Sequence, residues 1–206
     1  MNSLIDYLIE EGYLKTPRVI KAFRKIKRAD FMPEESKGFA DLNEAFPIGN
    51  GQTISQPLVV AFMIEKLDLK EGDKVLDVGS GSGWTTALIS EIVGERGEVF
   101  GIELLPELKE FGESNTSKYN FIKRGIAKFI CGDGNLGLPQ EAPFDKILCS
   151  AAAKEKIPYA WKDQLRIGGR IVTPIDNSIW LYIKESKDSF KKEEFPGFVF
   201  VPLVKK

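Results

Sequence analysis

A glycine-rich turn is the part of this sequence whose residue types and spacing most directly indicate chemistry. The apolar run Val75–Val78 leads into Gly79, Gly81 and Gly83, and a helical pattern follows. Glycine lets the backbone turn sharply and lets a ligand approach the peptide groups, and a helix start offers free N–H groups. Glu103 ends the next strand-like run, twenty positions after Gly83, where nucleotide-binding βαβ units place the carboxylate that binds ribose hydroxyls. These residues together predict a site for a nucleoside cofactor.

The glycine spacing narrows the kind of cofactor. A dinucleotide-binding turn has the pattern G-x-G-x-x-G, but Trp84 occupies the sixth position here and Gly83 gives G-x-G-x-G. A phosphate-binding P-loop needs a lysine after its last glycine, and none follows here. Such a cluster can also be no more than a tight turn. The strand, the helix and Glu103, in this order, favour the cofactor site.

The sequence contains no histidine, and this excludes several kinds of active site. There can be no Ser-His-Asp triad, no Cys-His pair, no imidazole base and no histidine-ligated metal. Two cysteines cannot form a Cys₄ zinc site either. We therefore expect a reaction that needs neither imidazole nor a metal.

Composition and charge indicate one globular domain. The 206 residues are 43% hydrophobic and 29% charged, and the net charge of −1 gives no overall attraction to nucleic acid or anionic membranes. No apolar run reaches the roughly 18 residues of a membrane-spanning helix, and Met1–Leu14 lacks the pattern of a signal peptide. Cys131 and Cys149 are expected to be buried free thiols. These features predict a cytoplasmic protein that acts as a monomer and binds neither membrane nor nucleic acid.

The elements around the glycine turn alternate between strand and helix. Strands are predicted at Lys74–Val78, Glu98–Ile102, Ala127–Cys131, Lys146–Ser150 and Arg170–Thr173, and helices at Trp84–Val93, Pro106–Lys118 and Lys156–Leu165. This alternation predicts an α/β fold with a mostly parallel, doubly wound sheet. Ile179–Lys184 and Phe198–Leu203 are predicted to form an antiparallel edge pair, joined by the charged loop Glu185–Pro196. Two helices, from Pro17 to about Lys27 and over Gln56–Leu67, precede the sheet.

The carboxyl ends of the predicted strands converge on one crevice, which is where such sheets bind ligands. Gly79–Gly83, Glu103, Asp133 and Ser150 all fall at these ends.

Four segments carry a resemblance to a known family. The first is Pro47–Pro57, which contains Gly-Gln-Thr-Ile-Ser-Gln-Pro, and the second is the glycine turn. The third is Cys131–Gly134 with Ala142–Asp145, and the fourth begins with Ala151–Ala153 and ends at the late Phe-Val-Pro-Leu. Together they resemble the protein-L-isoaspartate O-methyltransferase family of class I S-adenosylmethionine-dependent methyltransferases. The resemblance covers about Arg18 to Leu203, and the Gly-Gln-Thr-Ile-Ser segment is its most specific part.

The resemblance implies a Rossmann-like methyltransferase fold in a single domain, 1–206. Residues 1–70 would lie on the substrate side, and 71–206 would form the core that binds S-adenosylmethionine. The substrates would be proteins or peptides bearing L-isoaspartyl or D-aspartyl residues, whose free carboxylate accepts the methyl group. Methylation would initiate repair, because the ester closes to a succinimide that hydrolyses partly to normal aspartate. A carboxylate with a pKa near 4 is already ionised at neutral pH, so no general base is needed.

The same resemblance implies the site residues. Those expected to bind the cofactor are Gln52, Thr53, Ile54, Gly79, Ser80, Gly81, Gly83, Glu103, Leu104, Asp133 and Gly134. Glu103 would accept hydrogen bonds from the ribose hydroxyls and Asp133 from the adenine amino group. Ser55 would be catalytic and would orient the substrate carboxylate by a hydrogen bond. A serine before Gln56-Pro57 is also a good helix N-cap, a role worth about 1 kcal/mol, and the two roles can coexist.

Two other functions are compatible with these residues. A related carboxyl methyltransferase could act on one dedicated peptide with the same site. A protein that binds S-adenosylmethionine without turnover, and serves in interaction, is the alternative outside enzymes. The intact Gln52–Ser55 segment argues against the latter.

Overall fold

The computed structural model describes residues 3–153 and 156–203 of the chain, in which strands and helices alternate. The helices are α1 (Leu4–Glu10), α2 (Pro17–Lys25), α3 (Pro57–Leu67), α4 (Trp84–Val93), α5 (Pro106–Ser117) and α6 (Tyr159–Gln164). The strands are β1 (Phe46–Gly49), β2 (Gln52–Ile54), β3 (Lys74–Val78), β4 (Glu98–Glu103), β5 (Ala127–Cys131), β6 (Phe144–Cys149), β7 (Leu165–Ile175), β8 (Ser178–Lys184) and β9 (Phe190–Pro196). The bounds of β3, β5 and α4 are those predicted, and α6 is shorter than predicted.

Seven strands form the central sheet, in the order β5-β4-β3-β6-β7-β8-β9. Neighbours from β5 to β7 are parallel, whereas β7–β8 and β8–β9 are antiparallel. Strands β4 and β5 lie on one side of β3 in the sheet, and β6 lies on its other side, so the strand order reverses beside β3. Ligands bind outside the carboxyl ends of the strands at such a reversal. The Rossmann-like fold with an antiparallel edge is confirmed.

Side chains alternate between the two faces of the sheet, and each face is covered. Val75 and Val99 pack into a core that includes residues of α2, α3 and α4. Leu76 and Phe100 point to the other face and pack into a second core with Trp161 of α6. Every residue of β3 after Lys74 is buried, as expected for a strand covered on both faces. In the part of the chain described, no helix is long and apolar enough to span a bilayer.

The last strand lies earlier in the chain than the sequence predicts. β8 pairs with Phe190–Pro196, which falls inside the segment predicted to be a charged loop, and not with Phe198–Leu203. An edge strand exposes much of its surface to water and tolerates charge. Lys191 and Glu193 form an ion pair there, and Ser178 Oγ donates a hydrogen bond to Glu194 Oε1 at 2.7 Å. The prediction was wrong because charge density indicates exposure, which loops and edge strands share.

Residues Phe198–Leu203 instead form a strap across the carboxyl end of the sheet. Ala152 N donates to Val201 O at 2.8 Å, and Leu203 N donates to Ala152 O at 2.8 Å. The strap therefore lies against the segment that follows β6, where it contributes walls to the crevice.

The substitution Gly112→Ala tests the close contact between α5 and the glycine turn. A Cβ at Gly112 would lie 2.6 Å from Gly81 O and 3.0 Å from the Phe129 ring. Alanine gains about 1 kcal/mol of helix propensity over glycine, but overpacking against backbone costs typically 1–3 kcal/mol. We expect the steric clash to outweigh the gain in helix propensity, so that the free energy of unfolding, measured by chemical denaturation, falls.

Gly38→Ala is the matched control, because a Cβ at Gly38 would meet nothing within 4 Å. The control should unfold like the parent protein. A Gly112 variant as stable as the control would contradict the proposed contact.

Candidate active site

The glycine turn follows β3 directly and is fixed by backbone contacts. Gly79, Gly81 and Gly83 have φ values of 70°, 49° and 84°, a region that favours glycine. Gly79 N donates to Ile102 O at 2.9 Å, so the turn is tied to the end of β4. A Cβ at Gly83 would lie 2.5 Å from Gly112 O. Gly83 is therefore needed for the approach of α5, while the first two glycines line the crevice.

Glu103, the last residue of β4, holds its carboxylate in a fixed orientation. Oε2 accepts a hydrogen bond from Gly81 N at 3.0 Å, and Oε1 accepts from Leu104 N at 2.8 Å and Leu105 N at 3.1 Å. The residue is buried, at 8% exposure. A carboxylate has about four lone-pair sites, so one acceptor site is left for a ligand donor. The glycine turn and Glu103, which the sequence predicts to form one site, are therefore joined by a direct hydrogen bond.

Asp77 lies beneath the turn and anchors the start of α4. Its Oδ2 accepts hydrogen bonds from Thr85 Oγ1 at 2.7 Å and Thr86 Oγ1 at 2.6 Å. Burial raises the pKa of Asp77 to about 6, against the opposing effect of the two threonine hydroxyls. The carboxylate of Asp77 therefore fixes the start of α4, the helix that follows the glycine turn.

The β1–β2 hairpin supplies the opposite wall. The sequence indicates only a polar segment over Pro47–Ser55, but β1 and β2 pair antiparallel around Asn50 and Gly51, both with positive φ. Ile48 of β1 lies against the glycine turn, since a Cβ at Gly81 would be 3.3 Å from its Cδ1. The hairpin therefore lies against the turn and closes the crevice on that side.

Buried Arg28 fixes the backbone at the end of this hairpin. Its guanidinium donates to four carbonyl oxygens, those of Ala40 at 3.2 Å, Leu42 at 3.1 Å, Glu44 at 2.6 Å and Ser55 at 3.2 Å. Burial lowers the pKa of Arg28 to about 10, so the side chain keeps its charge at neutral pH. No local sequence pattern indicates this contact, because the partners of Arg28 lie 12 to 27 positions away.

Ser55 does not cap α3. The N-cap residue is Gln56, which makes no side-chain capping bond. Asn43 Oδ1 instead accepts a hydrogen bond from Leu58 N at 2.9 Å, in the first turn of the helix. The alternative role of Ser55 as a helix cap was therefore wrong, because a residue distant in sequence takes that role.

Three cavities follow one another along the crevice. We name them the inner, central and outer cavities; they span about 400, 490 and 770 Å³ of space between protein atoms, including space open to solvent. The inner and central cavities share Gln52, Gly79, Glu103 and Ala151. The central and outer cavities share Thr53, Ser55, Ser150 and Val201. Shared walls make the three a continuous cleft.

Most of the residues predicted for the site line this cleft. Gln52, Thr53, Ile54, Ser55, Gly79, Ser80, Gly81 and Glu103 line the central cavity, and Leu104 and Gly134 line the inner one. Gly83 and Asp133 are not among the lining residues of either cavity. Asp133 Oδ1 accepts from Asn135 N at 2.9 Å and Asn135 Nδ2 at 2.7 Å. Its contact with adenine stays a prediction.

Sequence reasoning missed several walls of the cleft. Val201, Pro202 and Leu203 come from the strap, and Ile48 comes from β1. The late Phe-Val-Pro-Leu motif marked the strap as part of the resemblance, but not its position. With Ile102, Leu104 and Leu105, the strap gives the inner cavity apolar walls that suit a planar base.

The cysteines take no part in the cleft. Cys149 is buried, and burial raises the pKa of its thiol to about 12. Cys131 is exposed, so its predicted burial was wrong; it is the last residue of edge strand β5. Within residues 3–153 and 156–203, no three Cys, Asp or Glu side chains are grouped so that they could hold a metal ion.

The parallel sheet, the G-x-G-x-G turn and the strand-end acid define a Rossmann-like methyltransferase. Solved structures agree with this class. A Plasmodium falciparum protein described as a protein-L-isoaspartate O-methyltransferase, crystallised with S-adenosyl-L-homocysteine, superposes with a TM-score of 0.86 at 23% identity over the whole of both chains. A second protein-L-isoaspartate O-methyltransferase gives 0.86 at 26% identity over 98% of this chain and 65% of its own.

The chain belongs to the protein-L-isoaspartate (D-aspartate) O-methyltransferase family, whose profile matches residues 1–206. The protein-L-isoaspartate O-methyltransferase of Methanopyrus kandleri is 38% identical over 98% of this chain and 89% of its own length. The enzyme of the same name from Methanococcus aeolicus is 39% identical over 100% of this chain and 94% of its own length. The one from Pyrococcus horikoshii is 41% identical over 97% of this chain and 90% of its own length. The family resemblance inferred from the four motifs is confirmed.

The substitution Glu103→Gln tests the carboxylate at the end of β4. Hydrogen bonds to a charged group are worth roughly 1.5–3 kcal/mol each. We therefore expect the affinity for S-adenosyl-L-homocysteine, measured by calorimetry, to fall at least about tenfold, or about 1.4 kcal/mol.

Glu107→Gln, at an exposed acid in the first turn of α5, is the control and should bind normally. Unchanged affinity in the Glu103 variant would remove this carboxylate from the cofactor site.

Proposed function

We propose that this chain transfers a methyl group from S-adenosylmethionine to the free carboxylate of L-isoaspartyl and D-aspartyl residues in damaged proteins and peptides. The observation that carries the proposal is the continuity of the cleft. The central cavity, which has the features of a nucleoside site, shares the hydroxyl-bearing residues Thr53, Ser55 and Ser150 with the outer cavity. The lining of the outer cavity has no charged side chain. Membership of the family supports the same function.

The site fits the cofactor on structural grounds. The glycine turn leaves room for a ligand beside the peptide groups, Glu103 offers a fixed carboxylate with one open acceptor site for a ribose hydroxyl, and apolar walls around Leu104 suit adenine. Gln52–Ile54 would run past the methionine end. S-adenosylmethionine, when bound, supplies an electrophilic methyl group attached to a sulfonium sulfur.

The acceptor needs positioning but no proton removal. A carboxylate ionises with a pKa near 4, so a cleft without histidine can receive it as a ready nucleophile. The outer cavity, with Val59, Val199 and Phe200 among its walls, offers an apolar surface beside the anion. Orientation of bound reactants can contribute several kcal/mol to a rate, and it is the contribution that these residues can make.

Ser55 is the residue that we place at the acceptor. It lies where the central and outer cavities meet, and Arg28 holds its carbonyl oxygen. Its hydroxyl would donate a hydrogen bond to the carboxylate. Residues 1–70 thus contribute the acceptor-side wall, and 71–206 the core that binds the cofactor. We further propose a cytoplasmic monomer that binds neither nucleic acid nor membranes; its net charge of −1 gives no overall attraction to either partner.

One assay decides the function. Transfer of labelled methyl from S-adenosylmethionine to an isoaspartyl peptide is compared with transfer to the twin peptide that contains aspartate. We expect methylation of the first alone, over several unrelated flanking sequences. Cofactor binding with no transfer to any of these peptides would refute the proposal and favour a binding protein. Activity on one sequence only would favour a dedicated peptide substrate.

Ser55→Ala tests the role of the hydroxyl. We expect kcat/KM for the isoaspartyl peptide to fall by one to three orders of magnitude, roughly 1.4–4 kcal/mol of transition-state stabilisation. The affinity for S-adenosyl-L-homocysteine and the melting temperature should change little, since Ser55 does not cap α3. Near-normal kinetics would leave positioning to backbone groups.

A further inference from the structure

Ser150 lies on the same cleft wall as Ser55 but comes from a different part of the fold. It follows β6 directly, and it lines both the central and the outer cavity. Its backbone N donates to Val78 O at 3.2 Å, which fixes it at the carboxyl ends of two central strands, beside Gly79. Its side-chain hydroxyl has no hydrogen-bond partner among the residues that the structure describes. A fixed backbone with a free hydroxyl is suited to receive a ligand.

The hydroxyl-bearing residues of the shared wall come from two parts of the fold. Thr53 and Ser55 belong to the hairpin side, two residues apart and about 6–7 Å along an extended chain. Ser150 belongs to the sheet side. A group bound where the cavities meet is therefore lined by hydroxyl-bearing residues of both the hairpin side and the sheet side.

A carboxylate needs contacts from both sides to be oriented. A single donor fixes one oxygen but leaves the group free to rotate about that hydrogen bond. A second donor on the other oxygen fixes the plane of the carboxylate, and a carboxylate has lone pairs for both. Fixing this plane presents one oxygen lone pair in a constant direction, which is how orientation accelerates a reaction.

We propose that Ser150 is a second catalytic residue, whose hydroxyl donates a hydrogen bond to the non-reacting oxygen of the acceptor carboxylate while Ser55 holds the reacting one. This inference rests on the proposed function and names how the same site holds its substrate. No proton is transferred by either serine. Both hydroxyls remain neutral donors throughout.

Three single variants test the proposal with the isoaspartyl peptide. Ser150→Ala removes the hydroxyl, Ser150→Thr keeps it, and Ser186→Ala is the control. Ser186 is exposed in the turn after β8. Because β8 runs antiparallel to β7, this turn lies at the amino ends of the parallel strands, opposite the cleft. We expect a fall in kcat/KM of about 10- to 30-fold for Ser150→Ala, equivalent to about 1.4–2 kcal/mol. The threonine variant should stay within about threefold, the control should match the parent protein, and affinity for S-adenosyl-L-homocysteine should be unchanged in all three.

The double variant Ser55→Ala/Ser150→Ala tests whether both hydroxyls act on one group. Residues that contact a shared partner show non-additive effects. We expect its loss to be smaller than the product of the two single losses, because a carboxylate released by one serine gains less from the other. Losses that simply multiply would overturn the shared-carboxylate arrangement.

The outcomes separate the two proposals. If the parent protein does not methylate the isoaspartyl peptide, the proposed function fails. If it does, and Ser150→Ala is as active as the Ser186 control, only the role of Ser150 fails. Equal losses in the alanine and threonine variants, or a parallel loss of cofactor affinity, would also overturn it, since they would indicate a structural or cofactor role.

Discussion

The pairing of β3 with β4 is the constraint on which the candidate site depends. The parallel register places Val78 beside Ile102, so the residues that follow, Gly79 and Glu103, lie together at the carboxyl ends of the two strands. The bond from Gly81 N to Glu103 Oε2 at 3.0 Å then links the turn to the acid. A shift of one residue in this register would exchange the faces of every side chain on β4 and would separate the two groups. Burial of β3 and β4 on both faces opposes such a shift.

A second anchor, Arg28, organises the acceptor side. Burying a guanidinium is unfavourable unless its donors are satisfied. The Nε of Arg28 has no hydrogen-bond partner among the described residues, whereas four carbonyl oxygens accept from its terminal nitrogens Nη1 and Nη2. Three of them belong to the irregular segment before the hairpin, and the fourth belongs to Ser55. The ring of Trp84, at the start of α4, lies 5.3 Å from the guanidinium carbon. Arg28 therefore holds together the wall proposed for the acceptor side and packs it against the helix that follows the glycine turn.

Prediction from sequence succeeded where the signal was local. The strand β3, the glycine turn and α4 follow one another within twenty residues, and Glu103 lies one βαβ step further, so pattern and spacing sufficed. Prediction was wrong where the deciding contact is distant. Asn43 replaces Ser55 as the partner of the first turn of α3, and no local pattern signals this. Strand β9 was assigned to a loop because its charges indicate exposure without indicating pairing. The strap was recognised by motif but not placed, because its bonds to Ala152 span about fifty positions.

The lack of histidine and the structure of the cleft lead to the same account of the chemistry. An acceptor that is already an anion removes the need for a base, so the residues around it can be small, neutral and exact in position. Neutral hydroxyls suit this task better than lysine or arginine would. A full positive charge close to the carboxylate would stabilise the anion most in the ground state, and its attraction would weaken as the ester forms. A serine hydroxyl orients the same oxygen with a smaller loss on reaction, because catalysis requires stabilisation of the transition state relative to the bound substrate. In the proposed arrangement, hydroxyls from two walls would meet this requirement, one on the segment that Arg28 fixes and the other beside the end of β3.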